Sequence, residues 1–411
     1  MPFFISQPYR IIDEICSDMH SYLHSAIHFL EGYHGEQPMH LALKQFFRAD
    51  KKYGSRDRKW IANLCFARMR TYRQFYHLPE EDALLCSLLL THQEPEKILI
   101  QIFTGSNWIV SEELITTSVA GKLQWLQQER GIVPSGEVFP MLENLSAMTS
   151  QDQFLQSLFQ QPLVWMRCAK GKKDQVVRKL EASSLPYISN KQFPEAIGLQ
   201  PGVKLEEAGI LDSGWAEIQD LSSQQALNDI VPKPGEKWYD ACAASGGKSL
   251  LLMEKQPAVE LTVSDIRPAM LENLKVRFQR NGVGNYTAFS SDLSKADSLL
   301  RYTGYFDGII ADVPCSGSGT WGRTPEQMCF FSSEKLQHYV ALQRSILLQL
   351  VSALKPGGKL VFITCSVYRD ENESQVAFLE QEGKLKCIND RLIEGYHQRA
   401  DTMFTAVFLK E

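Results

Sequence analysis

The first third of the chain has the hydrophobic period of helices. Apolar residues recur three or four positions apart, and the first such run is Ile11, Ile12, Ile15, Met19 and Leu23. A second run lies between Leu84 and Leu89. This is the spacing of a helix that buries one face. Since few β-branched stretches interrupt it, residues 1–134 are predicted to form an all-α domain that ends at the linker Val133-Pro134-Ser135-Gly136.

The pattern changes twice after that linker. Residues 135–230 are mixed, with a strand predicted at 163–167 and helices at 174–180 and 222–230. Beyond Pro232-Lys233-Pro234-Gly235 it becomes regular: strands are predicted at 237–242, 260–266, 286–292, 306–313 and 359–366, with helices such as 268–281 and 333–354 between them. This alternation is typical of a parallel sheet covered on both faces. Such α/β sheets bind ligands beyond the carboxyl ends of their strands, so residues 231–411 are expected to hold the functional site.

Length and composition limit the class of protein. A chain of 411 residues is expected to fold as two or three domains, and 44% hydrophobic with 22% charged residues is typical of a globular protein. There is no apolar run of bilayer length and no secretory start. Nine cysteines without regular spacing favour neither disulfides nor zinc. We therefore expect a cytoplasmic monomer with free thiols, without a metal site or membrane association.

The net charge of −5 hides two basic clusters. Residues 41–75 contain ten basic and two acidic residues. The second cluster consists of Arg167, Lys170, Lys172, Lys173, Arg178 and Lys179. Such clusters form either phosphate-binding surfaces or solvated helix faces, and charge alone does not decide between the two.

A loop of small residues follows the first strand of the regular half. It reads DACAASGGKS from Asp240 to Ser249, and its small side chains allow a ligand to approach the backbone at the start of a helix. The end of this loop resembles a phosphate-binding loop, but that motif needs glycine where Cys242 stands. Asp265, at the end of the second strand, is placed to bind the hydroxyls of a ribose or to cap the next helix. Asp292 ends the third strand, where Ser291 and Ser294 could serve the same turn.

Two cysteines follow the ends of the fourth and fifth strands. Cys315 lies in Asp312-Val313-Pro314-Cys315, and Cys365 lies in Thr364-Cys365-Ser366. A cysteine in an apolar strand is usually a small buried hydrophobic residue. At a ligand-binding strand end, however, its thiolate is a strong nucleophile. The glycines of Gly317-Ser318-Gly319-Thr320-Trp321-Gly322 match a dinucleotide motif by accident, since Pro325 follows instead of an apolar helix; they are expected to keep a substrate loop slim.

Together these motifs identify a family resemblance. DACAASGGKS, QDLSSQQA, SDIRP, DVPCSGSGTWGR, LKPGG and TCSVYRDENE occur in this order and resemble the Sun-type RNA cytosine methyltransferases, over roughly residues 139–408. FRADKKYGSRDRKWIANLCF is similar to the NusB-like RNA-binding domain of the ribosomal RNA members. The resemblance implies a class I Rossmann-like methyltransferase domain at 231–411, a small α/β, RRM-like extension at 135–230 and an all-α NusB-like domain at 1–134.

The resemblance also implies residue roles. Cys365 would attack carbon 6 of a cytosine, and Cys315 would act when the carbon 5 proton leaves and the enzyme is released. Asp312 would bind the ring, and Pro314 would hold the loop rigid. S-adenosylmethionine would lie against a further set of residues, namely Cys242, Ala243, Ala244, Ser245, Gly246, Gly247, Lys248, Asp265, Asp292 and Asp312. RNA would be contacted by Arg323, Arg56 and Arg58.

Some features depart from the family pattern and widen the range of possible functions. Ser245 stands where the family usually has proline, which should loosen the loop. Arg167-Cys168-Ala169 replaces a usual Arg-Xaa-Asn, which leaves transfer RNA open as a substrate beside ribosomal RNA. A non-catalytic RNA-binding assembly factor and an ATP-using enzyme are two competing hypotheses for the function of the chain.

Overall fold

The computed structural model describes residues 22–205 and 208–411, in two compact units. The predicted apolar run from Ile11 to Met19 lies outside the described residues. The first unit comprises residues 22–140, Leu155–Gln160 and Trp321–Phe331. The second comprises Met141–Phe154, the described part of 161–320 and Ser332–Glu411. The three predicted domains with boundaries at 134 and 230 stay a proposal.

Helices build the first unit, as predicted. They are α1 (described part 22–31), α2 (Met39–Ala49), α3 (Ser55–Phe75), α4 (Glu80–Thr91), α5 (Lys97–Gly105), α6 (Glu112–Thr116) and α7 (Val119–Arg130), with α13 (Pro325–Cys329) from much later in the chain. The core lies mainly between α3 and α4, where Trp60, Leu64, Leu84 and Leu88 are almost fully buried. The Cys329 thiol donates to the carbonyl oxygen of Met69 at 3.0 Å, so α13 packs against α3.

The basic cluster of α3 is not one exposed face. Arg68 is buried and its guanidinium bonds both oxygens of Glu80, at 2.9 and 3.2 Å. Arg70 is buried too and donates to the carbonyl oxygen of Leu158 at 3.0 Å. Arg56 and Arg58 are exposed near the start of the same helix. The count of charges along the sequence therefore overstates the basic surface, because two of the arginines hold the unit together.

A small antiparallel sheet forms one part of the second unit. Its strand order is β2-β3-β1-β4, with β1 (Val164–Cys168), β2 (Tyr187–Ser189), β3 (Ala196–Leu199) and β4 (Ala216–Ile218). Helix α8 (Gln151–Ser157) precedes it, α9 (Lys173–Ala182) covers it and α10 (Leu221–Gln225) follows it. The helix predicted at 222–230 is wrong beyond Gln225. Turns follow it, since Asn228 and Asp229 favour them and Pro232 disfavours helix before it.

The large sheet has seven strands in the order β10-β11-β9-β8-β5-β6-β7. The parallel strands are β5 (Lys237–Asp240), β6 (Glu260–Asp265), β7 (Tyr286–Ser290), β8 (Phe306–Asp312) and β9 (Leu354–Thr364). Its helices are α11 (Gly247–Lys255), α12 (Pro268–Arg280), α14 (Ser333–Ala353) and α15 (Glu373–Gln381). The predicted Rossmann-like α/β fold with a helical N-terminal region is confirmed.

Two antiparallel strands at one side of this sheet were not predicted. They are β10 (Leu385–Glu394) and β11 (Thr402–Lys410), and β11 lies between β10 and β9. β11 is buried along most of its length, as expected for a strand inside a sheet covered on both faces. Within residues 22–205 and 208–411, every helix is too short or too polar to cross a bilayer.

Candidate active site

The predicted catalytic and cofactor-binding residues lie at the carboxyl edge of the large sheet. β5 lies between β6 and β8, so the strand order reverses there. Asp240 ends β5, Asp265 ends β6 and Asp312 ends β8. Cys365 directly follows β9, the neighbour of β8. Parallel strands bring all these chain positions to one edge, although up to 125 residues separate them.

The two cysteine thiols lie against each other. Asp312 pairs with Ile363 in the sheet, so the chain segments that leave β8 and β9 run side by side. The Sγ atoms of Cys315 and Cys365 are 3.3 Å apart, and both residues are half-buried. The hydrogen bond to Cys365, followed by burial, holds the pKa of the Cys315 thiol well above its ordinary value. The Cys315 thiol therefore stays protonated at neutral pH, and either sulfur can be the donor in the contact.

Lys248, which the sequence predicts as a cofactor contact, forms an ion pair with Asp312 in the structure. Its ammonium group bonds Asp312 Oδ2 at 2.7 Å, and the Lys248 side chain is 11% exposed. Burial alone would lower the pKa of Lys248, but the carboxylate of Asp312 outweighs it and raises the pKa. Asp312 is thus held in one orientation by a charge-assisted bond. Pro314 is exposed, and its carbonyl oxygen accepts from Gln343 Nε2 at 3.1 Å.

A buried glutamate supports the loop of Cys315. Glu371 is fully buried, and its Oε1 accepts from the backbone N–H of Ser316 at 2.8 Å and from Gln343 at 3.1 Å. The Ser316 hydroxyl donates to the other carboxylate oxygen. Ser318 and Ser366 complete the cluster, with their hydroxyl oxygens 3.1 Å apart. Burial raises the pKa of Glu371, while these hydrogen bonds oppose the rise.

Sequence reasoning missed this support. In the sequence, Glu371, Asn372 and Glu373 fit the acidic first turn of a helix, a common arrangement that does not indicate a buried carboxylate. In the structure Glu371 instead ends a short turn, and Asn372 bonds Thr364 Oγ1 at 2.6 Å. The one available signal was the proximity of TCS and ENE in the sequence, since a glutamate six residues after Cys365 stays within reach of the same strand end.

The small-residue loop has a strained backbone. Ala244 has φ +45°, and its N–H donates to Asp265 Oδ2 at 3.0 Å. Gly246 has φ +84°, and a Cβ there would lie 2.5 Å from the Phe278 ring. Between Ala243 and Gly247 no side chain is larger than serine, so the loop is an open cradle. Cys242 begins it, and burial raises the pKa of its thiol above the ordinary value.

Ser245 is fixed by a side chain from α12. The guanidinium of Arg277 donates to Ser245 Oγ at 3.0 Å and to Glu217 Oε2 at 2.6 Å. Glu217 is 4% exposed and also accepts from Arg280 and Asn281. Burial acts to raise the pKa of Glu217, but these contacts outweigh it and lower the pKa. The Glu217 carboxylate that holds Arg277 therefore stays charged. The loosening expected from serine in place of proline is thus offset by a hydrogen bond.

The aspartates after β6 and β7 differ. Asp265 is 4% exposed, and both its oxygens accept from Arg267, whose side chain is 60% exposed. Burial opposes these bonds, yet they leave the pKa of Asp265 below its usual value. Asp292 has a local role, since its Oδ1 accepts from the N–H of Ser294 at 3.1 Å and from its hydroxyl at 2.6 Å. The carboxylate of Asp265 is therefore held in place against the small-residue loop, whereas the carboxylate of Asp292 bonds its own turn.

Three predicted RNA contacts lie in the first unit. Arg56 and Arg58 are on α3, where Arg58 Nε donates to the carbonyl oxygen of Tyr53 at 2.9 Å. Arg323 belongs to Trp321–Phe331. Their contact with a substrate stays a prediction.

One glycine of the loop after Cys315 has a structural reason to lack a side chain, whereas the predicted role of the loop at a substrate stays a prediction. A Cβ on Gly319 would lie 2.0 Å from the carbonyl oxygen of Thr402 in β11 and 3.1 Å from that of Cys365. The Gly319 N–H donates to the latter oxygen at 2.9 Å. Glycine is therefore required because backbones meet here.

Comparison with known proteins gives consistent matches. Residues 227–408 match the family described as 16S rRNA methyltransferase RsmB/F. Ribosomal RNA small subunit methyltransferase B of Xylella fastidiosa (strain Temecula1) is 32% identical over 220 residues, which are 53% of this chain and 50% of that protein. The protein of the same name from Klebsiella pneumoniae (strain 342) is 26% identical over 364 residues, 80% of this chain and 83% of that one. Against the first of these relatives, the chain spans only half of the relative's length.

A solved structure resembles nearly the whole chain. The crystal structure of PH0851 covers 99% of this chain and 100% of its own, with a TM-score of 0.68 and 18% identity. At that identity the likeness shows the fold alone.

Proposed function

We propose that this chain, whose residues 227–408 match the family described as 16S rRNA methyltransferase RsmB/F, is an S-adenosylmethionine-dependent RNA cytosine-5 methyltransferase of that family. We propose small-subunit ribosomal RNA as its substrate and residues 231–411 as its catalytic domain. The observation that carries the proposal is the pair of half-buried thiols 3.3 Å apart at the strand ends of β8 and β9, beside the charged Asp312.

This arrangement suits attack on a pyrimidine ring. Carbon 5 of cytosine is a poor nucleophile until a thiolate adds to carbon 6. We assign the attack to Cys365, which forms the carbon–sulfur bond as in the resemblance, while the raised pKa of Cys315 makes that thiol the less suited nucleophile. Asp312 binds the ring at N3 and the exocyclic amine, and Lys248 holds that carboxylate in place. After methylation Cys315, once its thiol has given its proton to solvent, accepts the carbon 5 proton. The electrons of the carbon–hydrogen bond re-form the carbon 5–carbon 6 double bond, and the carbon–sulfur bond breaks to release Cys365 as a thiolate.

The residues of the cradle fit S-adenosylmethionine. When bound, S-adenosylmethionine would supply an electrophilic methyl group. Ala243 to Gly247 leave room for its amino-acid part, and Asp265 at the rim offers two carboxylate oxygens to ribose hydroxyls. Arg267 bonds both of those oxygens in the structure, so ribose binding requires its side chain, which is 60% exposed, to move away into solvent. Cys242 and Asp292 complete the proposed cofactor contacts, the latter more weakly because it already binds Ser294.

Two cysteine variants test the mechanism. The variant Cys365→Ala should lose methyl transfer to RNA while binding S-adenosylmethionine with unchanged affinity. The variant Cys315→Ala should accumulate a covalent protein–RNA adduct that survives denaturing electrophoresis, since release is blocked after attack. An adduct that depends on Cys315 and forms without Cys365 would reverse the roles. Full activity in both variants would exclude thiol catalysis.

The RNA is identified by bisulfite sequencing. Total RNA from cells with and without the gene should differ at one or more cytosines of small-subunit ribosomal RNA. A difference confined to transfer RNA would assign that substrate instead. An absence of any difference, together with no binding of S-adenosylmethionine by the purified protein, would support an assembly factor.

A further inference from the structure

The second unit has a cavity at the opposite edge of the large sheet. Its volume is about 720 Å³, and its lining includes Val259, which precedes β6, and residues 282–285, which precede β7. These residues mark the amino ends of the strands, whereas the cysteines follow the carboxyl ends. This amino-edge cavity is also lined by β1, by the segment before β4 and by the end of α11. It is therefore distinct from the proposed catalytic site.

The amino-edge cavity is basic. Four cationic side chains, Arg167, Lys170, Lys172 and Arg280, line it against only two carboxylates. Both carboxylates are already neutralised: Glu217 by Arg277 and Arg280, and Glu254 by Arg167.

Two lysines that line the cavity have ammonium groups without a partner among the described residues. The side chains of Lys170 and Lys172 have no hydrogen-bond or ion-pair partner among residues 22–205 and 208–411. Their neighbours in the second basic cluster differ, because Lys173 donates to the carbonyl oxygen of Pro194 and Lys179 to that of Gly209. Lys170 and Lys172 are thus the lysines of this cluster that line the cavity with their ammonium donors unused, while Arg178 is exposed outside the lining.

The remaining lining has a substantial apolar part. Trp215, Leu250, Met253 and Val283 line the cavity together with three glycines, Gly214, Gly282 and Gly284, and with the polar residues Ser213, Asn281 and Asn285. A ligand that suits such a site has an anionic end for the lysines and a flat, less polar part for the remaining lining. A nucleotide has both, and cavities of about 300–1,000 Å³ are typical for ligands of this size.

We propose that the amino-edge cavity binds a nucleotide of the RNA substrate, outside the catalytic site, with its phosphate at Lys170 and Lys172. The inference rests on the proposed function, since it needs an RNA substrate. Lys170 is exposed and Lys172 only half-buried, so each contact with a phosphate is weak and screened by salt. Weak contacts of this kind contribute when the phosphate is tethered to a chain that is bound elsewhere, which favours RNA over a free mononucleotide.

Salt dependence of RNA binding tests the proposal. The double variant Lys170→Ala/Lys172→Ala is compared with Arg178→Ala/Lys191→Ala, which removes the same charge from exposed residues outside the cavity lining. Binding of unmodified small-subunit ribosomal RNA is measured between 0.1 and 1 M salt. Loss of the contact with this one phosphate should reduce the slope of log K against log salt by about 0.7 and weaken binding at 0.1 M about 5-fold, with almost no effect at 1 M.

Further readouts separate this proposal from the proposed function. The cavity variant should raise KM for RNA, while the affinity for S-adenosylmethionine and the rate at saturating RNA stay within twofold of wild type. Equal slopes for the two double variants would overturn the cavity proposal if the wild type methylates RNA. Binding of adenosine monophosphate alone at micromolar concentration, abolished by the cavity variant, would also overturn it by revealing a small-molecule site. A wild type that methylates no RNA would instead remove the proposed function.

Discussion

Replacing Asp240 with asparagine should change how the stability of the chain depends on pH. Asp240 is fully buried at the end of β5 and accepts from Ser249 Oγ at 2.6 Å. Its other oxygen, Oδ1, has no hydrogen-bond partner among the described residues. Burial, with a smaller contribution from the charge of Asp312, raises the pKa of Asp240 from 3.8 to about 7. The bond from Ser249 and the charge of Lys248 oppose this rise without cancelling it.

The sign of the effect follows from proton binding. Between pH 3.8 and about 7 the folded chain keeps a proton that the unfolded chain has released. The free energy of unfolding therefore falls as the pH rises through this window, by about 4 kcal/mol in total, because each pH unit contributes about 1.4 kcal/mol. About 2 kcal/mol of this fall lies between pH 5.5 and 8.5. Asparagine does not titrate, but its amide group lacks an acceptor at this position, which costs about 1–3 kcal/mol at every pH.

Hydrogen exchange of the peptide that contains Lys237–Asp240 measures the stability of the large sheet at pH 5.5 and 8.5, after correction for the intrinsic exchange rate. From pH 5.5 to pH 8.5 the wild type should lose about 2 kcal/mol of its free energy of unfolding, whereas Asp240→Asn should not. The free energy of unfolding of the variant should therefore rise by about 2 kcal/mol relative to that of the wild type. The control is Asp307→Asn on β8. Bonds from Lys237 and Lys355 lower the pKa of Asp307 despite burial, so that carboxyl is charged throughout the interval. If Asp240→Asn differs from wild type equally at both pH values, the reasoning from burial is refuted.

Three further predictions concern the surroundings of the site. If Ser245 and Arg277 act as a pair, their alanine variants should be non-additive by about 1.5 kcal/mol in the binding of S-adenosylmethionine, measured by calorimetry in a double-mutant cycle; additive effects would show that they are uncoupled. Gly319→Ala should lower the free energy of unfolding by about 1–3 kcal/mol in urea titrations because its Cβ meets the Thr402 carbonyl oxygen, and an unchanged midpoint would contradict this. Glu371→Gln should slow single-turnover methylation at least tenfold, because bonds to a charged group contribute about 1.5–3 kcal/mol, with cofactor affinity within twofold; an unaffected rate would show that the buried carboxylate does not position the loop.

The sequence allowed prediction of those parts of the site that lie directly after strands. Parallel strands have a fixed direction, so a residue such as Asp265 or Cys365 at a predicted strand end is placed at the carboxyl edge without further information. The strand ends were predicted one or two residues too late, yet the edge was correct. The order of the strands in the sheet could not be predicted from the sequence in the same way. β11 lies between β9 and β10 although it comes last in the chain, and no local pattern specifies such a partner.

Buried polar side chains explain most of what the sequence did not reveal. Arg68 and Glu371 have the residue types of a solvated surface, and their burial depends on partners 12 and 55 residues away, Glu80 and Ser316. A charge count treats Arg68 as part of a basic face, and a helix-capping rule explains Glu371 without any partner. In both cases the hydrogen bonds offset the loss of hydration, so the side chain stabilises the interior instead of meeting solvent or ligand. Because Glu371 accepts from the backbone next to Cys315, the position of one thiol depends on a buried carboxylate, and the 3.3 Å contact with Cys365 is a property of this polar cluster as much as of the two strands.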